Sequence, residues 1–195
     1  MLSAARRAPD EVVLGLDADA TRMREASHRA ARPRAKGGLP NAWFAVAAAE
    51  ALPGALDGRV DETRVTLPWG SLLRGALGPE TWFLEAIGRI SRPDGSLRML
   101  LSVTPRDGVG DIRSLDGPAL PGLARRYREA GWVVLDARDA TPDDVTRSGS
   151  SWAKRLGIPN RRPAAVLQLL PPSGSSTEPA QASRRRRSTC APPRS

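Results

Sequence analysis

Residues 12–50, VVLGLDADATRMREASHRAARPRAKGGLPNAWFAVAAAE, decide how this chain is read. Val12 to Leu16 is a short apolar run closed by Asp17, and Ala18 to Arg32 is charged and alanine-rich, so a strand feeds a helix. The breaker Lys36-Gly37-Gly38-Leu39-Pro40 ends that helix, and Ala42 to Glu50 reads as a second buried strand, turned by Leu52 and Pro53. Working outward, Arg64 to Leu67 is a third strand stopped by Pro68. A helical pattern resumes at Ser71, breaks at Gly78 and Pro79, and continues through Trp82, Leu84, Ile87 and Ile90 until Pro93 and Gly95. Leu97 to Thr104, Val133 to Ala137 and Ala164 to Leu170 supply three more strands. Between the first two of these lie a loop from 105 to 122 and a helix with Leu120, Leu123 and Tyr127 on one face. Strands alternating with helices predict an α/β fold with a doubly wound, parallel sheet, whose ligands sit at the carboxyl ends of the strands.

Composition narrows the function. The longest apolar stretch, Ala42 to Ala49, is far short of the roughly 20 residues of a spanning helix. The start MLSAARRAPDE has no apolar signal core, so a cytoplasmic location is expected and no membrane partner. One cysteine, Cys190, and one histidine, His28, exclude a disulfide framework, a Cys/His zinc site and Cys–His catalysis, and no metal is expected. The formal charge is +9, carried by arginine, with Lys36 and Lys154 the only lysines. The stretch from Pro171 onward contributes +4 of it, leaving +5 on the body. A polyanionic partner, nucleic acid first, accounts for that balance, as does a GC-rich coding sequence that favours arginine codons. Residues 1–170 are expected to form one domain, and 171–195, rich in Ser, Pro and Arg, a disordered basic tail.

Several residues stand where chemistry would be done. Asp17 closes a strand where α/β nucleoside-binding proteins place a carboxylate for ribose hydroxyls, although an acid capping the next helix fits as well. Trp43, Trp82 and Trp132 lie in apolar periodic segments and are expected in the core. Trp69, pinned between Pro68 and Gly70, and Trp152, in Ser150-Ser151-Trp152-Ala153-Lys154-Arg155-Leu156, have no apolar run to bury them. Exposed indoles on loops suit stacking on a base drawn out of its helix; packing is the other reading. Basic residues cluster at 28–36 and again at Lys154, Arg155, Arg161 and Arg162, as phosphate contacts or as a solvated face.

Four motifs occur together and in order: LysGlyGlyLeuProAsn at 36–41, AlaAlaAlaGluAlaLeuPro at 47–53, LeuProTrpGlySerLeuLeu at 67–73 and SerSerTrpAlaLysArgLeu at 150–156. With them the chain resembles, over residues 5 to 170, the aminoglycoside-resistance 16S ribosomal RNA methyltransferases of the kanamycin–apramycin type. The resemblance implies a Rossmann-like class I fold, S-adenosylmethionine as cofactor and the small ribosomal subunit as partner. It also implies methylation at N1 of a decoding-site adenine, with the enzyme acting as a monomer. Asp17 would bind the cofactor ribose, Ala49 and Glu50 would lie beside its adenine, and Thr66 and Ser71 would line the same pocket. Trp69 and Trp152 would sandwich the flipped adenine with Ser150 nearby. Arg29, Arg32, Arg34, Lys36, Lys154, Arg155 and Arg162 would contact RNA.

One departure from the family's pattern shapes a further expectation. The family opens with a strand and an Asp-x-Gly-x-Gly loop that holds the methionine end of the cofactor, and residues 1–11 resemble the end of the helix after that loop. The numbered chain is therefore expected to begin inside the fold, from a misassigned start or a truncated gene, with unpaired backbone and a gap at the centre of the sheet. A noncatalytic remnant that binds RNA through its arginines is the alternative function.

Overall fold

Asp19 shows how local chemistry sets the first unit. Its carboxylate accepts the Thr21 N–H at 2.9 Å and so caps the helix that begins at Ala20. The computed structural model describes residues 1–109, 114–115 and 119–172. In chain order these form α1 (Leu2–Arg7), β1 (Val13–Asp17), α2 (Ala20–Ala30), β2 (Ala42–Val46) and β3 (Val60–Thr66). They continue through α3 (Gly70–Leu77), α4 (Thr81–Ile90), β4 (Ser91–Leu101), α5 (Ala119–Glu129), β5 (Val133–Asp139), α6 (Pro142–Ser148), α7 (Ser151–Leu156) and β6 (Ala165–Leu170). The expected tail at 171–195 lies, from 173 on, outside the described residues. Among those described, no helix is long and apolar enough to cross a membrane.

The strands divide into two sheets, and one strand departs from the parallel arrangement expected. β1 and β2 pair in parallel from Val13↔Ala42 to Asp17↔Val46 and form a sheet of their own. The other four strands make a second sheet in the order β3-β4-β6-β5, in which β3 and β4 are parallel but β6 is antiparallel to both its neighbours. One edge of β1 and one edge of β3 thus carry no ladder partner among the described residues. The connection from β5 runs through the short helices α6 and α7 and delivers β6 between β4 and β5, antiparallel to both. β4 also begins earlier than expected and runs through Pro93 and Gly95. The irregularity lies in β4 itself, since the register jumps from Val60↔Ser91 to Glu62↔Ser96 and leaves Pro93 and Gly95 in the bulge. A bulge tolerates proline, and a Cβ at Gly95 would come within 2.9 Å of the Val60 carbonyl oxygen.

Alternation along β4 and β6 sorts the core onto two faces. Leu97, Met99, Leu101, Leu167 and Leu169 pack with Leu73, Phe83, Ile87 and Leu123 of α3, α4 and α5. Leu100 and Val166 face the other way and pack with Leu67, Val145, Ala153 and Ile158. Tyr127 is fully buried in the first cluster and donates its hydroxyl to the Ala76 carbonyl at 2.7 Å; burial pushes that phenol far above its usual range. Of the tryptophans expected inside, Trp132 is buried and Trp82 is half-buried, but Trp43 is 61 % exposed, with Nε1 donating to the Pro40 carbonyl. The Trp43 ring thus stays largely in solvent although the strand around it is apolar throughout.

Candidate active site

The strand ends that carry the candidate residues are held together across the seam between the two sheets. Asp17, the last residue of β1, accepts the Asp19 N–H at 2.9 Å, its only acceptor bond among the described residues. The capping role belongs to Asp19, which leaves the rest of the Asp17 carboxylate free for a ligand. Ala49 and Glu50 form a single 3-10 turn after β2. The Ser71 hydroxyl at the start of α3 faces the Glu50 carboxylate and, with the backbone of Glu50 itself, holds it below the usual carboxylate range. Thr66 ends β3 and is exposed, so Asp17, Glu50, Ser71 and Thr66 all stand at carboxyl ends of strands or just beyond them.

Trp69 is thrown outward by its backbone. Leu67 has φ +49° and Gly70 φ +62°, so two left-handed residues bracket Pro68 and Trp69. At a branched, bulky residue ahead of proline such a φ costs about 1–3 kcal/mol. Leu67 is held there by its N–H, which donates to the Leu100 carbonyl at 2.8 Å, and by burial of its side chain in the second cluster. The indole of Trp69 is 63 % exposed. One of its faces carries the Arg22 guanidinium, 4.4 Å from the ring centroid, and Arg22 is tied in turn to Asp19 through Nε–Oδ2 at 3.3 Å.

Trp152 stands on the second residue of α7, 53 % exposed. Ser150 caps this helix by accepting the Ala153 N–H at 3.2 Å, and Ala153 is buried in the same cluster as Leu67. One apolar cluster therefore seats the segments that bear both indoles.

α7 follows α6 after Gly149 (φ +64°), and α6 is anchored by Asp144. That carboxylate is almost fully buried. It receives Arg138 Nη1 at 2.6 Å and Nη2 at 3.1 Å, Arg98 Nη2 at 3.1 Å, and the Thr141 N–H and hydroxyl. The Arg138 guanidinium foremost, then the Thr141 bonds, hold Asp144 far below the usual range, against the cost of its burial. Sequence reading missed this network, although Thr141-Pro142-Asp143-Asp144 has the form of a capping box. It also missed Arg22, for which the sequence carries no signal.

The basic residues divide. Arg29 lies in the last turn of α2, Arg32 just beyond its end, and Arg34 and Lys36 in the 3-10 turn that follows, all exposed. Gly37 (φ +79°) and Gly38 shape that turn; a Cβ on Gly38 would overlap the Arg32 carbonyl. Lys154 and Arg155 are exposed on the last turn of α7. Arg162 differs: its guanidinium donates to the Ser102 hydroxyl at 2.8 Å, the Ser102 carbonyl at 3.2 Å and Asp107 Oδ2 at 2.8 Å. It is a strut between the entry to β6 and the loop after β4.

This geometry has known counterparts. The family described as NpmA, 16S rRNA (adenine(1408)-N(1))-methyltransferase, matches residues 1–169. A protein of that description from Streptoalloteichus hindustanus is 41 % identical over 157 residues, 78 % of this chain and 72 % of its own length. One from Escherichia coli is 25 % identical over 156 residues, 76 % of this chain and 71 % of its own. Among solved structures, the 16S rRNA methyltransferase KamB superposes with TM-score 0.78 at 38 % identity, covering 88 % of this chain and 82 % of that one. A variant of the enzyme from Catenulisporales acidiphilia, solved with cosubstrate SAM, gives 0.74 at 31 % identity over 88 % and 80 %.

Proposed function

We infer what this site does from the family to which the chain belongs, the 16S rRNA (adenine(1408)-N(1))-methyltransferases. The protein is an S-adenosylmethionine-dependent enzyme of the class I fold that methylates N1 of that adenine in the small ribosomal subunit, giving aminoglycoside resistance. Its residue roles are our own assignment. The observation that carries them is the exposed Trp69 at the same strand ends as Asp17, Glu50 and Ser71.

The free acceptor positions of Asp17 fit a ribose, and Ala49, Glu50, Thr66 and Ser71 fit the adenine end of the cofactor. Bound there, S-adenosylmethionine supplies an electrophilic methyl on its sulfonium. Trp69 and Trp152 hold the flipped target adenine by stacking, each face contributing about 1–3 kcal/mol, and Ser150 keeps Trp152 in place by capping α7. N1 of adenine carries its own lone pair, so the chain has to orient the base and exclude water rather than remove a proton. Arg29, Arg32, Arg34 and Lys36 on one side, and Lys154 and Arg155 on the other, take rRNA phosphates. Arg162 supports the same surface from within by fixing the loop after β4. The enzyme works as a monomer docked on the subunit, in the cytoplasm where ribosomes are.

The test is transfer of labelled methyl from S-adenosylmethionine to purified small subunits. Trp69→Ala and Trp152→Ala should each lower the rate about 10- to 100-fold while cofactor affinity stays within about twofold. Full activity in both variants would sink the stacking assignment.

A further inference from the structure

Two indole faces create a problem that Arg22 solves. Methylation at N1 turns a neutral adenine into a cation, and indole faces attract cations, so Trp69 and Trp152 alone would hold the product more firmly than the substrate. The Arg22 guanidinium already lies 4.4 Å from the Trp69 centroid. It is kept there by Asp19, itself fixed by the Thr21 N–H and hydroxyl at 2.9 and 2.6 Å. An exposed arginine on α2 has no packing need for that contact, since the solvent side of the helix is open to it.

We propose that Arg22 is a specificity-determining residue that occupies one face of Trp69, leaves the other for the neutral base, and repels the methylated product through the ring. This rests on the assignment of Trp69 as a stacking residue. A base on the opposite face places the new charge roughly 8 Å from the guanidinium, which in dielectrics between surface and bulk water gives about two- to thirtyfold weaker product binding. The Asp19 carboxylate, 3.3 Å from Nε, tempers the charge and puts the effect near the lower end, about threefold.

The experiment measures the affinity of the full 195-residue chain for small subunits unmethylated or already methylated at the target N1. Relative to the unmodified chain, Arg22→Gln should bind methylated subunits about threefold more tightly against unmethylated ones, and Arg22→Lys, which keeps the charge, should restore the original ratio. An unchanged ratio in Arg22→Gln overturns the proposal. So does an equal gain for both subunits, which would make Arg22 a plug on the face that the base itself needs. Trp69→Ala separates the two levels: if it alters binding to neither subunit, the stacking assignment fails. If it weakens binding while Arg22→Gln leaves the ratio alone, only the role of Arg22 fails.

Discussion

β4 and β6 bury Leu97, Met99, Leu101, Leu167 and Leu169 completely, whereas β2 leaves Trp43 and Val46, and the approach to β1 leaves Val12, largely in solvent. Before Val60, only Ala5 and Ala30 among the described apolar residues are buried, and neither belongs to a core cluster. The two regions have similar apolar strand sequences, so the difference lies in what covers them. β3 to β6 are clad by α3, α4 and α5 on one face and by α6 and α7 on the other. The β1–α2–β2 unit packs chiefly against itself, with an unpartnered edge on β1. The consequence bears on the proposed site: Asp17 and Glu50, which we assign to the cofactor, sit on the loosely packed unit, and both indoles are mounted on the well-packed one. Arg22 on Trp69 and Ser71 on Glu50 join the two. Ligand binding at the seam should therefore stabilise the weaker unit more than the stronger.

The sharpest break would come from amide hydrogen exchange. Residues Val13–Asp17 and Ala42–Val46 should exchange about a thousandfold or more faster than Leu97–Leu101 and Ala165–Leu170. S-adenosylmethionine should narrow the gap from the fast side; equal protection without it would dissolve the comparison. Next in size is a pair of matched truncations followed by urea unfolding. Phe83→Ala, at a fully buried ring, should cost about 3–5 kcal/mol, and Phe44→Ala on β2, half-buried, about 1–2 kcal/mol. Similar losses would mean that β2 is better supported than its exposure indicates.

The smallest effect is a pH dependence confined to the well-packed unit. The folded-state pKa of Asp144 is depressed, chiefly by Arg138, so its stabilisation is complete above the unfolded value of about 4. It is lost as pH falls through the lower folded value. Unfolding free energies at about pH 7 and pH 3 should therefore differ by about 1 kcal/mol more in the parent than in Asp144→Asn. A parallel pH response in both would show that the Arg98–Asp144–Arg138 network contributes little.

Much of the fold was legible because its signals are local. Apolar runs bounded by Gly and Pro located all six strands, and the break at Gly78 and Pro79 separated α3 from α4 correctly. Pro93 and Gly95 misled, since a bulge can absorb a proline that a regular ladder cannot, and only the partner strand reveals the bulge. Trp43 misled for a related reason: an apolar run says what a strand can bury, not whether anything lies against it. Among the candidate residues, Asp17, Glu50, Ser71 and Trp69 were named from motif order, and all four stand at strand ends or just beyond them. Arg22 was not, because its partner is 47 positions along the chain and guanidinium–indole contacts leave no pattern in sequence. Arg162 reads like any other basic residue, and its three internal bonds became visible only when Ser102 and Asp107 were placed beside it.

The sequence by itself determined where the six strands lie, that the chain is strongly basic, and which motifs belong to the methyltransferase family. Those are properties of residue type and short spacing. Tertiary structure decided that the strands divide into two sheets, that β6 runs antiparallel and that Leu67 takes a left-handed backbone. It also decided that one arginine lies on Trp69 while another is drawn inward. Each depends on which distant groups come within a few ångströms, where packing and Coulomb terms act and where spacing along the chain carries no information.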